Sequence, residues 1–142
     1  MSFEEKNTWV YALVSVGAFA AYLVTILGRA EGAAITEVPY VGTMLWTIGA
    51  AIVASIVGRI VVAVAWPKDA DKKDQRDKEI YRFGEYIGQS FVVVGAVAAL
   101  VLAIAEVDHF WIANAVYLAF VLSALLSSTA KIFAYRRGVP SW

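Results

Sequence analysis

The sequence contains no cysteine and a single histidine, His109, among its 142 residues. The lack of thiols excludes disulfides, thiolate metal sites, iron–sulfur clusters and a cysteine nucleophile. No serine lies near His109 in the sequence, and there is neither a glycine-rich phosphate loop nor a His-Glu-x-x-His motif. The basic residues are interleaved with acids, which argues against a nucleic-acid surface. We therefore expect no enzymatic activity, no cofactor and no nucleic-acid partner.

Apolar residues are what the chain has in excess. They make up 61% of the sequence, whereas about 45–50% is usual for a soluble domain. Four long apolar runs account for the excess, at residues 8–28, 41–66, 84–106 and 110–133. Each is close to or above the ~20 residues that a helix needs to cross about 30 Å of hydrocarbon. The runs do not alternate as barrel strands do, so we predict an all-α integral membrane four-helix bundle, one domain over residues 1–142.

The first apolar run is expected to be a membrane span and not a cleaved signal peptide. The charged segment before it contains acids as well as a base, and its apolar part is longer than the roughly 7–15 residues of a signal core. The small residues of GRAEGAA, which follows the run, leave cleavage open as an alternative.

The basic residues are distributed unequally between the two sides of the predicted bundle. One side holds only Arg29, and Arg59 lies within a span. The other side holds ten, at Lys6, Lys68, Lys72, Lys73, Arg76, Lys78, Arg82, Lys131, Arg136 and Arg137. The positive-inside rule then predicts that both termini and the charged loop of residues 67–80 are cytoplasmic. We expect a multi-pass protein of the inner (plasma) membrane.

The central loop carries charges of both signs, and the third helix is expected to begin in water near residues 71–75. The run Asp74-Gln75-Arg76-Asp77 resembles the Asp-Glu-Arg-Asp-type run that a loose group of small four-span bacterial membrane proteins carries just before a membrane helix. Gln75 departs from that pattern. The resemblance implies a bacterial membrane protein and no particular activity.

Arg59 is a permanent cation inside the second apolar run, about 10 Å from its cytoplasmic end. A charge at mid-bilayer costs ~2.5–3.5 kcal/mol on insertion scales, so a partner is expected. Glu85 enters the membrane from the same side on the third span, and we predict that Arg59 pairs with it. Gln89 and Ser127 complete a predicted intramembrane polar cluster. The alternatives are an ion or proton pathway and an Arg59 side chain that extends towards the interface.

Small residues recur at helical spacing and predict where the helices pack. Gly84 and Gly88 form a Gly-x-x-x-Gly pair on the third span, and Ala50, Ala54 and Gly58 form a ridge on the second. Such ridges let backbones approach closely where no hydrophobic force drives helices together. The other spans carry similar ridges, which favours a homo-oligomer or a membrane-protein partner.

The outer rim contains the only acids that lie close to the histidine. Glu106, Asp108 and His109, together with Glu31 or Glu37, are the candidates for a metal site of oxygen ligands with one imidazole. Acids and a histidine at a water boundary are more often solvated helix-end groups, so we predict no metal.

Three functions are compatible with these features. We favour a non-enzymatic accessory or interaction protein that acts through helix packing in the lipid bilayer. A small oligomeric transporter or channel is the first alternative, and it requires Arg59, Glu85, Gln89 and Ser127 to face one water-filled cavity. A lipid- or amphiphile-binding protein of the immunity type is the second.

Overall fold

A computed structural model of the chain describes residues 3–32, 34–68 and 75–138. Four long helices cover most of them: α1 (Phe3–Arg29), α2 (Val41–Ala65), α3 (Gln75–Ile104) and α4 (His109–Arg137). A single 3-10 turn, Ile35–Glu37, lies between α1 and α2. All four helices are long and apolar enough to cross a membrane. The prediction of an all-α protein with four helices of spanning length is confirmed.

The helix ends follow from local chemistry. Glu4 and Glu5 lie in the first turn of α1 and Arg29 in its last turn, where each charge complements the helix dipole. α2 ends at Ala65, two residues before Pro67, because a proline cannot continue the helix without losing a backbone hydrogen bond. Gly138 ends α4 with a φ of 87°, a left-handed conformation that glycine adopts without steric cost.

The helices pack in the order α2–α1–α4–α3, because α1 packs against both α2 and α4, and α4 packs along α3. Between α2 and α3 the described residues form no extended contact. The predicted pair of Arg59 and Glu85 would require the second and third helices to be close neighbours, and they are not. Sequential helices are usually adjacent, but here α3 packs against α4 instead. Of the predicted start of α3 near residues 71–75, only Gln75 lies within the described residues.

Glycines on α3 explain its close packing against α4. A Cβ added to Gly88 would lie 2.8 Å from the Cβ of Ser127, and one added to Gly95 would overlap the Cβ of Ala119. The Ser123 hydroxyl also donates a hydrogen bond of 2.7 Å to the carbonyl oxygen of Gly88. The seam between α3 and α4 thus depends on backbone contact, as expected for helices that associate inside lipid.

Two buried clusters hold the ends of the helix array. At the end where α1 joins α2 and α3 joins α4, which we call the hairpin end, the cluster consists of Tyr22, Ile26, Val38, Phe110, Tyr117 and Val121. At the opposite end, which we call the termini end, it consists of Ile80, Phe83 and Ala134. The outward faces carry large exposed apolar side chains such as Trp46, which is 80% exposed. Such faces suggest contact with a lipid bilayer.

Candidate functional site

An apolar groove lies between α2 and α4, and residues of α1 also line it. Its volume is about 820 Å³. Ile48 and Ile52 of α2 face Val116 and Phe120 of α4, and Ala18 is one of the α1 residues between them. The groove exists because α2 and α4 both pack against α1 without an extended contact with each other in the described parts of the chain.

A polar chamber of about 460 Å³ lies at the termini end and is lined by all four helices. Each helix contributes at least one charged side chain. Glu4 comes from α1, Arg59 from α2, Asp77 and Glu85 from α3, and Lys131 from α4. Charged groups from all four helices therefore converge in one cavity at the termini end.

The chamber and the groove are adjacent. Tyr11, Ser55 and Ile56 line both of them. The chamber is charged and lies at the termini end, and the groove beside it is apolar and lies towards the middle of the helices.

The charged residues of the chamber form two separate ion pairs. Arg59 Nη2 lies 3.7 Å from Glu4 Oε1, whereas Lys131 Nζ lies 2.7 Å from Glu85 Oε1. The Ser127 hydroxyl donates a further bond of 3.3 Å to the same oxygen of Glu85. The prediction that Arg59 pairs with Glu85 is wrong, because α2 packs on α1, whose first turn supplies Glu4, and α3 packs on α4, which supplies Lys131. Arg59 and Glu85 nevertheless line the same chamber.

The first helix supplies a polar stripe that sequence reasoning missed. Glu4, Asn7, Thr8 and Tyr11 all line the chamber. Their spacing of three and four residues places them on one face of α1. The helical spacing of these polar residues was the signal available in the sequence. The first three of them precede or begin the apolar run of residues 8–28.

Asn7 is the unusual member of this stripe. Both polar atoms of its carboxamide, Nδ2 and Oδ1, are buried and have no hydrogen-bond partner among the described residues. A buried polar atom left without a partner typically costs about 1–3 kcal/mol. The carboxamide of Asn7, a residue that lines the chamber, thus holds an unused NH2 donor group and an unused carbonyl acceptor.

Two tyrosines, Tyr81 and Tyr135, line the chamber and contact its charged residues. The Tyr135 hydroxyl donates a bond of 2.8 Å to Asp77 Oδ1. Lys131 Nζ lies 4.4 Å from the centre of the Tyr81 ring, a cation–π contact. Arg76 donates a bond of 2.8 Å to the carbonyl oxygen of Tyr135, which ties the start of α3 to the end of α4.

Aromatic residues cluster beside the groove at the hairpin end. Tyr117 lines the groove, and its hydroxyl lies 2.9 Å from the Thr47 hydroxyl. Tyr22 donates a hydrogen bond to Asn114 Oδ1, and its ring packs edge-on against Tyr117 with centroids 5.0 Å apart. Phe19 contacts both tyrosine rings. We call Phe19, Tyr22, Tyr117 and Asn114 the aromatic cap.

The structure separates the residues of the predicted polar cluster. Arg59 and Glu85 line the chamber, and the buried Ser127 lies behind Glu85 and bonds to it. Gln89 is exposed and does not line the chamber. The condition set for transport, that all four face one cavity, is therefore met by only two of them.

The predicted packing residues also differ in their surroundings. Gly84 lies against Lys131 of α4, and Gly88 lies against Ser127 of the same helix. Gly58 lies against Val10 of α1. On the same helix as Gly58, Ala50 and Ala54 are exposed.

The acids at the outer rim do not assemble with the histidine. Glu106, Asp108 and His109 are all exposed. Across the ranges that the structure describes, no three histidine or acidic side chains are placed to share a metal ion.

No family model, curated protein or solved structure matches this chain. The fold itself defines the class: four apolar helices of spanning length are compatible with a multi-pass membrane protein. Within that class, the distinguishing feature is a charged chamber that lies next to an apolar groove.

Proposed function

We propose that this chain is a non-enzymatic multi-pass membrane protein that binds an amphiphilic molecule. The polar part of the ligand occupies the chamber, and its apolar part occupies the groove. The observation that carries the proposal is that the charged chamber and the apolar groove are adjacent and share Tyr11, Ser55 and Ile56 in their linings.

The dimensions and chemistry of the cavity suit such a ligand. Small-molecule sites typically have volumes of about 300–1,000 Å³ and are mostly apolar with a few converging polar groups. The groove, at about 820 Å³, lies within this range. The charged chamber lies at the termini end of the helices, and the apolar groove lies towards their middle. This is the polarity of a lipid in one leaflet of a bilayer.

We place the termini end on the cytoplasmic side of the plasma membrane. The support is the unequal distribution of Lys and Arg, ten against one between the two sides. The ligand would then belong to the cytoplasmic leaflet, with its polar group at the level of the chamber.

The proposal is tested by filling the groove. Ala51 of α2 lines it, whereas the neighbouring Ala50 is exposed and does not. We expect that Ala51→Phe removes the amphiphile that remains bound when the protein is purified in mild detergent, and that Ala50→Phe retains it. Native mass spectrometry gives the number of bound molecules per protein, and lipid extraction identifies them.

The two variants form a matched pair, because both add a phenylalanine to the same helix within one turn. Equal retention of bound molecules by both variants would contradict the proposal, since only lipids on the outer surface would then be present. Recovery of the unaltered protein without any bound amphiphile would contradict it as well.

An accessory role through α2 is the second candidate function. Val62 is the single buried residue of α2. Gly49 has no atom near its Cβ position, and it lines a shallow depression with Leu45, Trp46, Ala50 and Val53. A transmembrane helix of a partner protein could pack closely there. Gly49→Leu should then release a partner that co-purifies with the unaltered chain, whereas Gly17→Leu, at an open site on α1, should retain it.

A further inference from the structure

The chamber presents one accessible charge of each sign on opposite helices. The side chain of Arg59 on α2 is 60% exposed and lies 3.7 Å from its partner Glu4. The side chain of Glu85 on α3 is 53% exposed, although its partner Lys131 is only 12% exposed. A guanidinium and a carboxylate can therefore each accept a further partner without breaking the existing pairs.

Asn7 adds an uncharged recognition element to the same chamber. It lies on α1, which also carries Glu4, and its buried amide donor and carbonyl acceptor have no partner within the described residues. A ligand that satisfies both atoms needs an acceptor and a hydrogen-bond donor close together.

We infer that the amphiphile of the proposed function has a zwitterionic head group whose ammonium bears hydrogens, as in phosphatidylethanolamine. The inference rests on that function. The phosphate oxygens of the head group bind Arg59 and accept from Asn7 Nδ2. The ammonium group donates to Glu85 and to Asn7 Oδ1.

Other common head groups satisfy fewer of these groups. A head group with only negative charge gains Arg59 and Lys131 but meets three carboxylates that line the same chamber, those of Glu4, Asp77 and Glu85. A trimethylammonium head group has no N–H to donate to Glu85 or to Asn7. Phosphatidylglycerol and phosphatidylcholine are therefore the informative competitors.

The test is a competition among three lipids with identical acyl chains: phosphatidylethanolamine, phosphatidylcholine and phosphatidylglycerol. The full chain is delipidated in mild detergent, each lipid is added, and retained molecules are counted by native mass spectrometry. We expect phosphatidylethanolamine to be retained about tenfold more strongly than either competitor, the effect of one or two charge-assisted hydrogen bonds. Glu85→Gln should abolish this preference. Glu106→Gln, which alters an exposed acid at the hairpin end, should leave it unchanged.

A second variant, Asn7→Leu, is expected to change protein stability and lipid retention in opposite directions. Because the amide is buried without partners, its replacement should raise the thermal stability of the lipid-free protein. The same replacement should weaken the retention of phosphatidylethanolamine. A purely structural role for Asn7 predicts loss of stability instead, and that result would overturn its part in head-group recognition.

The failure of this inference can be distinguished from failure of the proposed function. If the three lipids compete equally and Ala51→Phe still prevents binding, the head-group assignment is wrong and the amphiphile site stands. If Glu85→Gln and Glu106→Gln have the same effect, the assignment to Glu85 is wrong. If no lipid binds in a manner that depends on Ala51, both proposals fail.

Discussion

Gly95 lies on α3 directly against Ala119 of α4, and a methyl group there would overlap the methyl group of Ala119. We expect Gly95→Ala to lower the free energy of unfolding by about 1–3 kcal/mol, because the helices would have to separate. Gly17→Ala is the matched control, since Gly17 has no atom within 4 Å of its Cβ position. Denaturant titration in detergent would measure both. A Gly95→Ala protein as stable as Gly17→Ala would show that the seam does not require a glycine.

The ion pairs of the chamber give a second prediction at the scale of single residues. Lys131 and Glu85 are 2.7 Å apart and the lysine is mostly buried, so we expect a coupling of about 1 kcal/mol between Lys131→Met and Glu85→Gln. Arg59→Gln and Glu85→Gln should be additive in the same measurement, because the two residues have different partners. A double-mutant cycle of unfolding free energies tests both statements. Coupling between Arg59 and Glu85 would contradict the pairing described here.

At the scale of elements, the aromatic cap joins α1 to α4 through a partly buried side-chain hydrogen bond. Tyr22 is 1% exposed and donates to Asn114 Oδ1, while Asn114 Nδ2 donates 2.7 Å to the carbonyl oxygen of Phe110. Tyr22→Phe leaves the Asn114 oxygen without its donor, and we expect a loss of about 1–3 kcal/mol of stability. Thermal unfolding in detergent provides the measurement.

Tyr40→Phe is the control for the aromatic cap. The Tyr40 ring packs edge-on against Phe110 with centroids 5.2 Å apart, and its hydroxyl forms no hydrogen bond in the described ranges. We expect this variant to unfold close to the unaltered protein. Equal losses for both variants would mean that the ring contacts, and not the bond to Asn114, hold the two helices.

At the scale of the whole molecule, the absence of cysteine makes the proposed orientation directly measurable. Lys78 and Glu31 are exposed and lie at opposite ends of the helix array. We expect a membrane-impermeant maleimide to label Glu31→Cys in intact cells, and to label Lys78→Cys only after the membrane is opened. The cysteine-free chain gives the background, and Ala54→Cys, on an apolar outer face, should label in neither case. The reverse pattern would place the termini outside.

The features determined by the sequence alone are those that depend on composition and local spacing. The number of helices and their capacity to cross a membrane follow from four apolar runs, because a backbone in lipid has to satisfy its own hydrogen bonds. The end of α2 before Pro67 is equally local, since proline lacks the backbone N–H that a further turn would require. Neither property depends on which helices touch.

Only the tertiary structure decided the order of the helices and, with it, the partners of the charged residues. Arg59 and Glu85 have similar depths in the sequence-based topology, but depth does not determine which helix faces which. Glycine contacts bring α3 against α4, so Glu85 meets Lys131, while α2 packs on α1 and Arg59 meets Glu4. The chamber and groove arise from that same arrangement, because they lie between helices that do not touch extensively, and no pattern within one helix encodes the space between two.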